Sequence, residues 1–456
     1  GNAGETVQQL NARLASTPPI VNNGGIHGPN FASGQTASLN AGLFYPMIVL
    51  FGENGGGDVI DVTFARPGGG FTDNGTGLYF NGTPGTSGSI RIDGNVILQG
   101  NSALVSKSAV DVLGNINRDT SGASGVNLSV NASTLNTGST ASKTGSINLG
   151  QTGQLELTLG SESKIKGDIV AASLSKSGVG RLGLLGNNAD LGAITFQSGT
   201  LQVASTSNLA GGTAPLTLGN ANSVTTLQMT TPNDVQILKP ITLAGNSRIE
   251  AVGGLTLSGA INGSHGLTVD GQSDITINAA IGGTTSLATF NSNSAKTLTL
   301  GPLAKITSVG DIKISGVTRF VNNATDAAPL QTGTQSRWLI GSGNTNPFAG
   351  ATPDVTGGLQ HDFRFYGLSQ EQVLGTASLP SSLPATGNGL IYSLQPTLSL
   401  SVPATITKSY NGSTAMPAGP ITFVGNGLLN GGQFTVSNYT ARYASSNAGT
   451  HAILFS

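Results

Sequence analysis

The stretch LSKSGVGRLGLLGNNADLGAITFQSGTLQV, Leu174 to Val203, decides the fold. Its aliphatic residues stand two apart: Leu182 and Leu184, Ile194 and Phe196, Leu201 and Val203. Successive side chains leave a strand on opposite faces, so this alternation marks half-buried strands. The breaks between them are Gly, Asn, Asp and Ser, and Gly and Asn in particular adopt positive φ at little cost. The segment is too regularly alternating for disorder and too poor in charge for a catalytic wall. It reads as one and a half coils of a solenoid, with three short strands.

The same pattern runs in both directions, from about Ile90 to Val321. Ile90/Ile92, Leu128/Val130 and Ile147/Leu149 precede it; Leu216/Leu218, Ile241/Leu243, Leu255/Leu257, Ile275/Ile277 and Leu298/Leu300 follow. Short strands separated by turn residues over so long a stretch suit a parallel β-helix, in which aliphatics stack from coil to coil. A β-sandwich needs longer strands and hairpin loops, and a propeller a regular period of about 40–50 residues. The expected fold is all-β: a right-handed parallel β-helix followed by a small all-β module. Four parts are expected: an N-terminal cap segment (1–89), the β-helix stalk (90–335), an aromatic-rich capping segment (336–398) and a C-terminal β module (399–456).

Composition narrows the function. Of 456 residues only 9% are charged, the net charge is -1, and 37% are hydrophobic. Disorder of the charged kind needs few aliphatics and high net charge. No basic stripe exists to neutralise phosphates, so nucleic acid is not an expected partner. The chain has no Cys, which excludes disulfides and thiolate sites. No apolar run is long enough for a membrane-spanning helix. The opening GNAGETVQQL lacks the basic start and apolar core of a signal peptide, and is read as the start of a mature or excised chain. One helix is expected there, in GETVQQLNARLAS, with Val7, Leu10 and Leu14 at helical spacing before TPP. In LFYPMIVLFGENGGGDVIDVTFARPGGGF two apolar bursts read as strands.

Catalysis on a β-helix needs acidic or basic groups converging from neighbouring coils. Asp58 and Asp61 are three apart on an expected strand and so fall on opposite faces. Asp93, Asp111, Asp270, Asp274 and Asp311 sit in turn contexts; VDGQSD is a turn and a Ca²⁺ candidate, but no calcium-binding nonapeptide repeat is present. His27, His265, His361 and His451 are dispersed, without zinc-ligand spacing. No catalytic residue, metal or cofactor is assigned. The only Trp, Trp338, lies in sequence near Arg337, Phe363, Arg364 and Tyr366. Aromatic faces with interleaved polar groups hold sugars and enrich interfaces, making these five the candidate ligand-binding residues. The alternative is a hydrophobic plug closing the β-helix, since solenoids need caps.

Three resemblances bear on function. The opening stretch resembles the autotransporter-associated β-strand repeat through Leu174, Lys176, Gly178, Gly180, Leu182, Leu184, Gly186, Asn187, Gly199, Thr200, Leu201 and Val203. The segments SRWLIGSGNTNPF, GGLQHDFRFYG and GNGLIYSLQPTL resemble a region near the end of filamentous-haemagglutinin-like adhesins. The tail from Ala404 is similar to the YDG type of MBG module, through Lys408, Tyr410, Asn411, Gly412 and Thr414, then Ala441, Tyr443, Asn447, Ala448 and Gly449. Asn411 stands where that module usually has Asp, and the tail reads as cut from a longer chain. Together these imply a secreted, non-enzymatic bacterial surface adhesin of the two-partner secretion type. Such a protein passes an outer-membrane pore partner unfolded and folds outside as a monomeric rod. Its implied contacts are extracellular polysaccharide and host or sister cell surfaces, in attachment or biofilm. A polysaccharide-degrading β-helical enzyme and a ligand-free structural spacer are the competing readings.

Overall fold

The computed structural model describes residues 64–65 and 71–72 and, between 88 and 456, all but 123, 140–143, 210–213, 317, 374–376, 403–404, 418–420, 422, 428–435 and 437–438. Two compact units are present, 1–88 and 89–456. In the first, Phe64–Ala65 pairs antiparallel with Phe71–Thr72. The expected N-terminal helix, Asp58, Asp61 and His27 lie outside the described residues.

The second unit is a parallel β-solenoid of about 13 turns. With strands about 4.8 Å apart, it extends for about 60 Å. Its longest sheet begins at Ile90–Ile92 and gains one strand per coil, each parallel to the last. Register pairing builds one inward column from Leu182 through Leu201, Leu227, Ile249, Val269, Ser292, Ile314 and Ile340 to Leu390. All nine side chains are buried. A second sheet carries the column Ile194, Leu216, Ile241, Ile261, Ile281, Ile306 and Leu330. A third, of five strands, runs from Val235–Ile237 to Arg319–Asn322. The alternation read from sequence is therefore inward aliphatic, outward polar. No coil could bury its apolar side alone, and stacking supplies the core.

Between Ile90 and Leu330 coil length varies from 19 to 31 residues, as register partners on adjacent coils show. The longest strand, Ile147–Leu159, serves two faces. Its start pairs with Ile116–Arg118 and its end with Leu128–Ala132, with register shifts around Gly150. Gly150 has φ +81, and a side chain there would overlap the Ser124 carbonyl oxygen. Glycine is what lets this strand bend.

Asn and Asp in the turns have a role beyond tolerating turn geometry: they accept backbone N–H groups of the next coil. Asn101 Oδ1 accepts from Asn127 N at 2.8 Å, and Asn127 Oδ1 in turn from Gln154 N at 3.0 Å. Asn246 Oδ1 does the same for Gly266 N at 2.8 Å. At the 3₁₀ turn Thr206–Leu209 two buried amides interlock: Asn188 Oδ1 accepts from Ile169 N, and its Nδ2 donates to the Asn208 carbonyl. These bonds satisfy turn N–H groups that no strand reaches.

The sheet does not stop at residue 335. Trp338–Ser342, Gly389–Tyr392 and Phe363–Phe365 extend it, in that spatial order. Beyond lie two antiparallel pairs, Ser399–Ser401 with Val424–Asn426 and Ala441–Tyr443 with Ile453–Phe455. Phe423, Tyr439 and Phe455 cluster between them, with ring centroids 5.1–6.2 Å apart. Lys408 Nζ donates to the carbonyls of Ser413 and Ala415 and lies 5.5 Å from the Tyr443 ring centroid. Asn411 Oδ1 accepts from Ser413 N at 3.1 Å. That turn needs only an acceptor oxygen, which the Asn411 amide supplies.

Candidate functional site

Trp338 opens one strand, with Arg337 just before it, and Phe363 and Arg364 lie on another, with Tyr366 just after it; Gly389–Tyr392 joins the two strands. Trp338 continues the inward column Leu267, Phe290 and Ile312, and only 4% of it is exposed. Its backbone N–H donates to Asn388 Oδ1 at 3.0 Å. Asn388 is itself clasped by Asp362, giving its N–H to Asp362 Oδ2 and accepting from Asp362 N. The Arg337 guanidinium donates to the Pro384 carbonyl.

Leu339 and Ile391 point out of the opposite face of the sheet. In most coils that face is polar; here it is covered by Leu368 and Leu383, with Phe363 and Phe365 packed beside them. Every residue of Trp338–Ser342 and of Gly389–Tyr392 is consequently buried. The Phe363 ring lies against the Gly389 backbone, in space a side chain would fill. A strand buried on both faces cannot simply be followed by another polar-faced coil, so this arrangement ends the solenoid.

Tyr366 stacks on Tyr392 at 5.4 Å between centroids, and Phe348 presents an edge to both. Burial raises the phenol pKa of Tyr366, against the effect of nearby Arg364. Burial lifts Tyr392 further, and the Asp354 carboxylate adds to the rise. Asp354 is raised too, by burial, although its Oδ1 accepts from Phe320 N and Asn344 Nδ2. These groups are packed or hydrogen-bonded in ways that fix the last turns.

The structure thus gathers the five candidates, but not as an open binding face. Trp338 is a core residue, which corrects its assignment as a ligand contact: its ring is enclosed by the column it terminates. Phe363, Arg364 and Tyr366 are half-buried, and the rings of Phe363 and Tyr366 are packed against other groups of the cap.

The acidic residues are occupied in structural bonds. Asp93 pairs with Arg91 at 3.0 Å, and Asp111 accepts from Asn136 Nδ2 at 2.9 Å. Asp270 pairs with Arg248 and accepts from Asn293 Nδ2. Asp274 and Asp311 accept the backbone N–H groups of Thr297 and Arg337. Among the described residues no group of three or more His, Asp or Glu could hold a metal ion, the VDGQSD turn included. His361 and His451 each lie within hydrogen-bond distance of a backbone carbonyl. Among those residues, too, no helix is long and apolar enough to cross a membrane.

Two features escaped sequence reasoning. Lys176 is wholly buried, and its phase with Leu174 in the alternation could have placed it inward. A groove on the second sheet, over coils between residues 260 and 331, has no local signature, because its lining comes from separate coils. No family model, no curated protein and no solved structure matches this chain.

Proposed function

We propose that the chain is part of a secreted bacterial surface adhesin resembling the filamentous-haemagglutinin-like exoproteins. Its solenoid is a stalk that carries polar faces outward for attachment to polysaccharide or to a neighbouring cell. The supporting observation is the outward surface itself. On the longest sheet Gln202, Gln228 and Glu250 form a bonded ladder across coils, joined through Arg248 to Asp270 and Asn293. On the second sheet Thr195, Thr217 and Thr242 align in register. Such faces repeat one chemistry at the strand spacing of about 4.8 Å, so weak contacts add along the axis. Passage through an outer-membrane pore partner and an extracellular location belong to this proposal.

Display of the chain on a non-adherent bacterium tests it. Attachment to polysaccharide-coated or cell-covered surfaces is expected to rise above that of an unrelated solenoid of equal length. No rise on any surface overturns the reading in favour of a ligand-free spacer.

A further inference from the structure

On the second sheet, two outward columns flank the inward column Ile261, Ile281 and Ile306. One is Ala260, Ala280 and Lys305; the other is Asn262, Gly282, Thr307 and Gln331. Most other outward positions on this sheet carry Thr, Ser or longer side chains, whereas here Ala260, Ala280 and Gly282 leave a trough. The 283–286 loop stands along one side of it and contributes Thr284 and Ser286. The resulting groove has a volume of about 590 Å³ and is open to solvent.

The groove is built, not left over. Asn262 Oδ1 accepts from Thr284 N at 2.9 Å, Gly263 N donates to the Thr285 carbonyl, and Leu287 N donates to Thr307 O at 3.1 Å. Leu287 is fully buried and forms a parallel bridge with Ser308. Gly282 turns the chain into the loop with φ +75, and a side chain there would overlap the Thr307 carbonyl. The loop is therefore fixed at both ends and at its middle, which preorganises the wall.

The lining chemistry selects an occupant. The floor offers methyl groups and backbone; the rim offers hydroxyls, the amide of Gln331 and the Nδ2 donor of Asn262. Lys305 is the cation at the rim, and it is paired with Asp326 at 2.9 Å. An anionic ligand would have to displace that carboxylate. Four stacked strands span about 15 Å, the reach of a short oligosaccharide segment. Resting on the polysaccharide-contact reading above, we infer that this groove binds a segment of a neutral polysaccharide. The C–H face of the sugar lies on Ala260 and Ala280, and its hydroxyls bond to Asn262, Thr307 and Gln331.

Calorimetric titration of the full chain with neutral and uronate-containing oligosaccharides tests the inference, alongside Ala260→Trp and Thr307→Phe. Both positions face outward, so thermal unfolding should match the parent chain, and each variant checks the other's folding. Binding of a neutral oligosaccharide, weakened about tenfold or more in both variants, is the expected result. Neutral binding that survives both substitutions overturns the groove but leaves the polysaccharide-contact reading intact. Preference for the uronate, lost in both variants, overturns the neutral class. Absence of oligosaccharide binding also overturns the inference. Attachment of the displayed chain then decides the adhesin reading separately.

Discussion

Lys176 and Phe196 are register partners on adjacent strands, with the Lys176 ammonium 4.9 Å from the ring centroid and both side chains fully buried. The lysine stands in an inward column between Leu157 and Phe196, with Leu218 beyond. Its Nζ donates to the carbonyls of Gly178, Gly180 and Ser198, so one ammonium ties the turns of two successive coils. Gly199, at φ +87, leaves the space: a side chain there would crowd Nζ and the Gly180 carbonyl oxygen. The lysine is a structural peg that an aliphatic residue of similar length cannot replace.

Lys176→Met keeps most of the volume and removes the donors. The Gly178 carbonyl retains the Ser198 hydroxyl, at 2.9 Å, while those of Gly180 and Ser198 lose the ammonium. Unsatisfied buried acceptors cost about 1–3 kcal/mol each, so the two together lower the unfolding free energy by about 2–6 kcal/mol. Denaturant titration measures it. A variant as stable as the parent would sink the peg.

Burial pushes the Lys176 ammonium from 10.5 down to about 8, and the carbonyl acceptors and ring face, which favour the charged form, oppose that shift. Below pH 8 both folded and unfolded chains carry the proton, and the folded one bears the desolvation penalty. Between about 8 and 10.5 the unfolded chain binds more protons, so stability rises with pH and levels off above 10.5. The full shift corresponds to about 3 kcal/mol as an upper bound. The parent chain should gain stability over Lys176→Met between about pH 7 and pH 10.5. An identical pH dependence in the two proteins would show that Lys176 does not titrate in this window.

The period-two alternation carried the solenoid because it is local: Leu182/Leu184 and Leu201/Val203 point inward wherever their coil sits. Lys176 was legible in principle, sharing phase with Leu174, but charge argues for solvent until the carbonyl cage is visible. The cap was half legible. Trp338 and Phe363 announced an aromatic cluster, yet whether their rings face ligand or core depends on Leu339 and Leu383, far apart in sequence. The groove was illegible. Asn262, Thr307 and Gln331 meet only through the stacking register, and coils of 19 to 31 residues hide that register from any fixed period.

Ser292 interrupts an aliphatic column between Val269 and Ile314, and its buried hydroxyl has no hydrogen-bond partner. Desolvating a hydroxyl without compensation is unfavourable. Ser292→Val, close in shape to Val269 beneath it, is expected to raise unfolding free energy by about 1 kcal/mol. Equilibrium denaturation reads this directly; a destabilised variant would mean the column is too tightly packed there to accept a second methyl.

Trp338→Ala separates the plug from the ligand site. The indole is 4% exposed and rests on Ile312, so its removal should cost about 3–5 kcal/mol. In a solenoid each coil touches mainly its neighbours, and the loss should stay near the end that Trp338 closes. Hydrogen exchange is expected to accelerate first in Phe363–Phe365 and Gly389–Tyr392, with the strand Gly199–Val203 still protected. Oligosaccharide binding at the groove should survive under conditions where the distal coils remain folded. Binding abolished by Trp338→Ala with exchange unchanged throughout would restore Trp338 as a ligand contact and remove the plug.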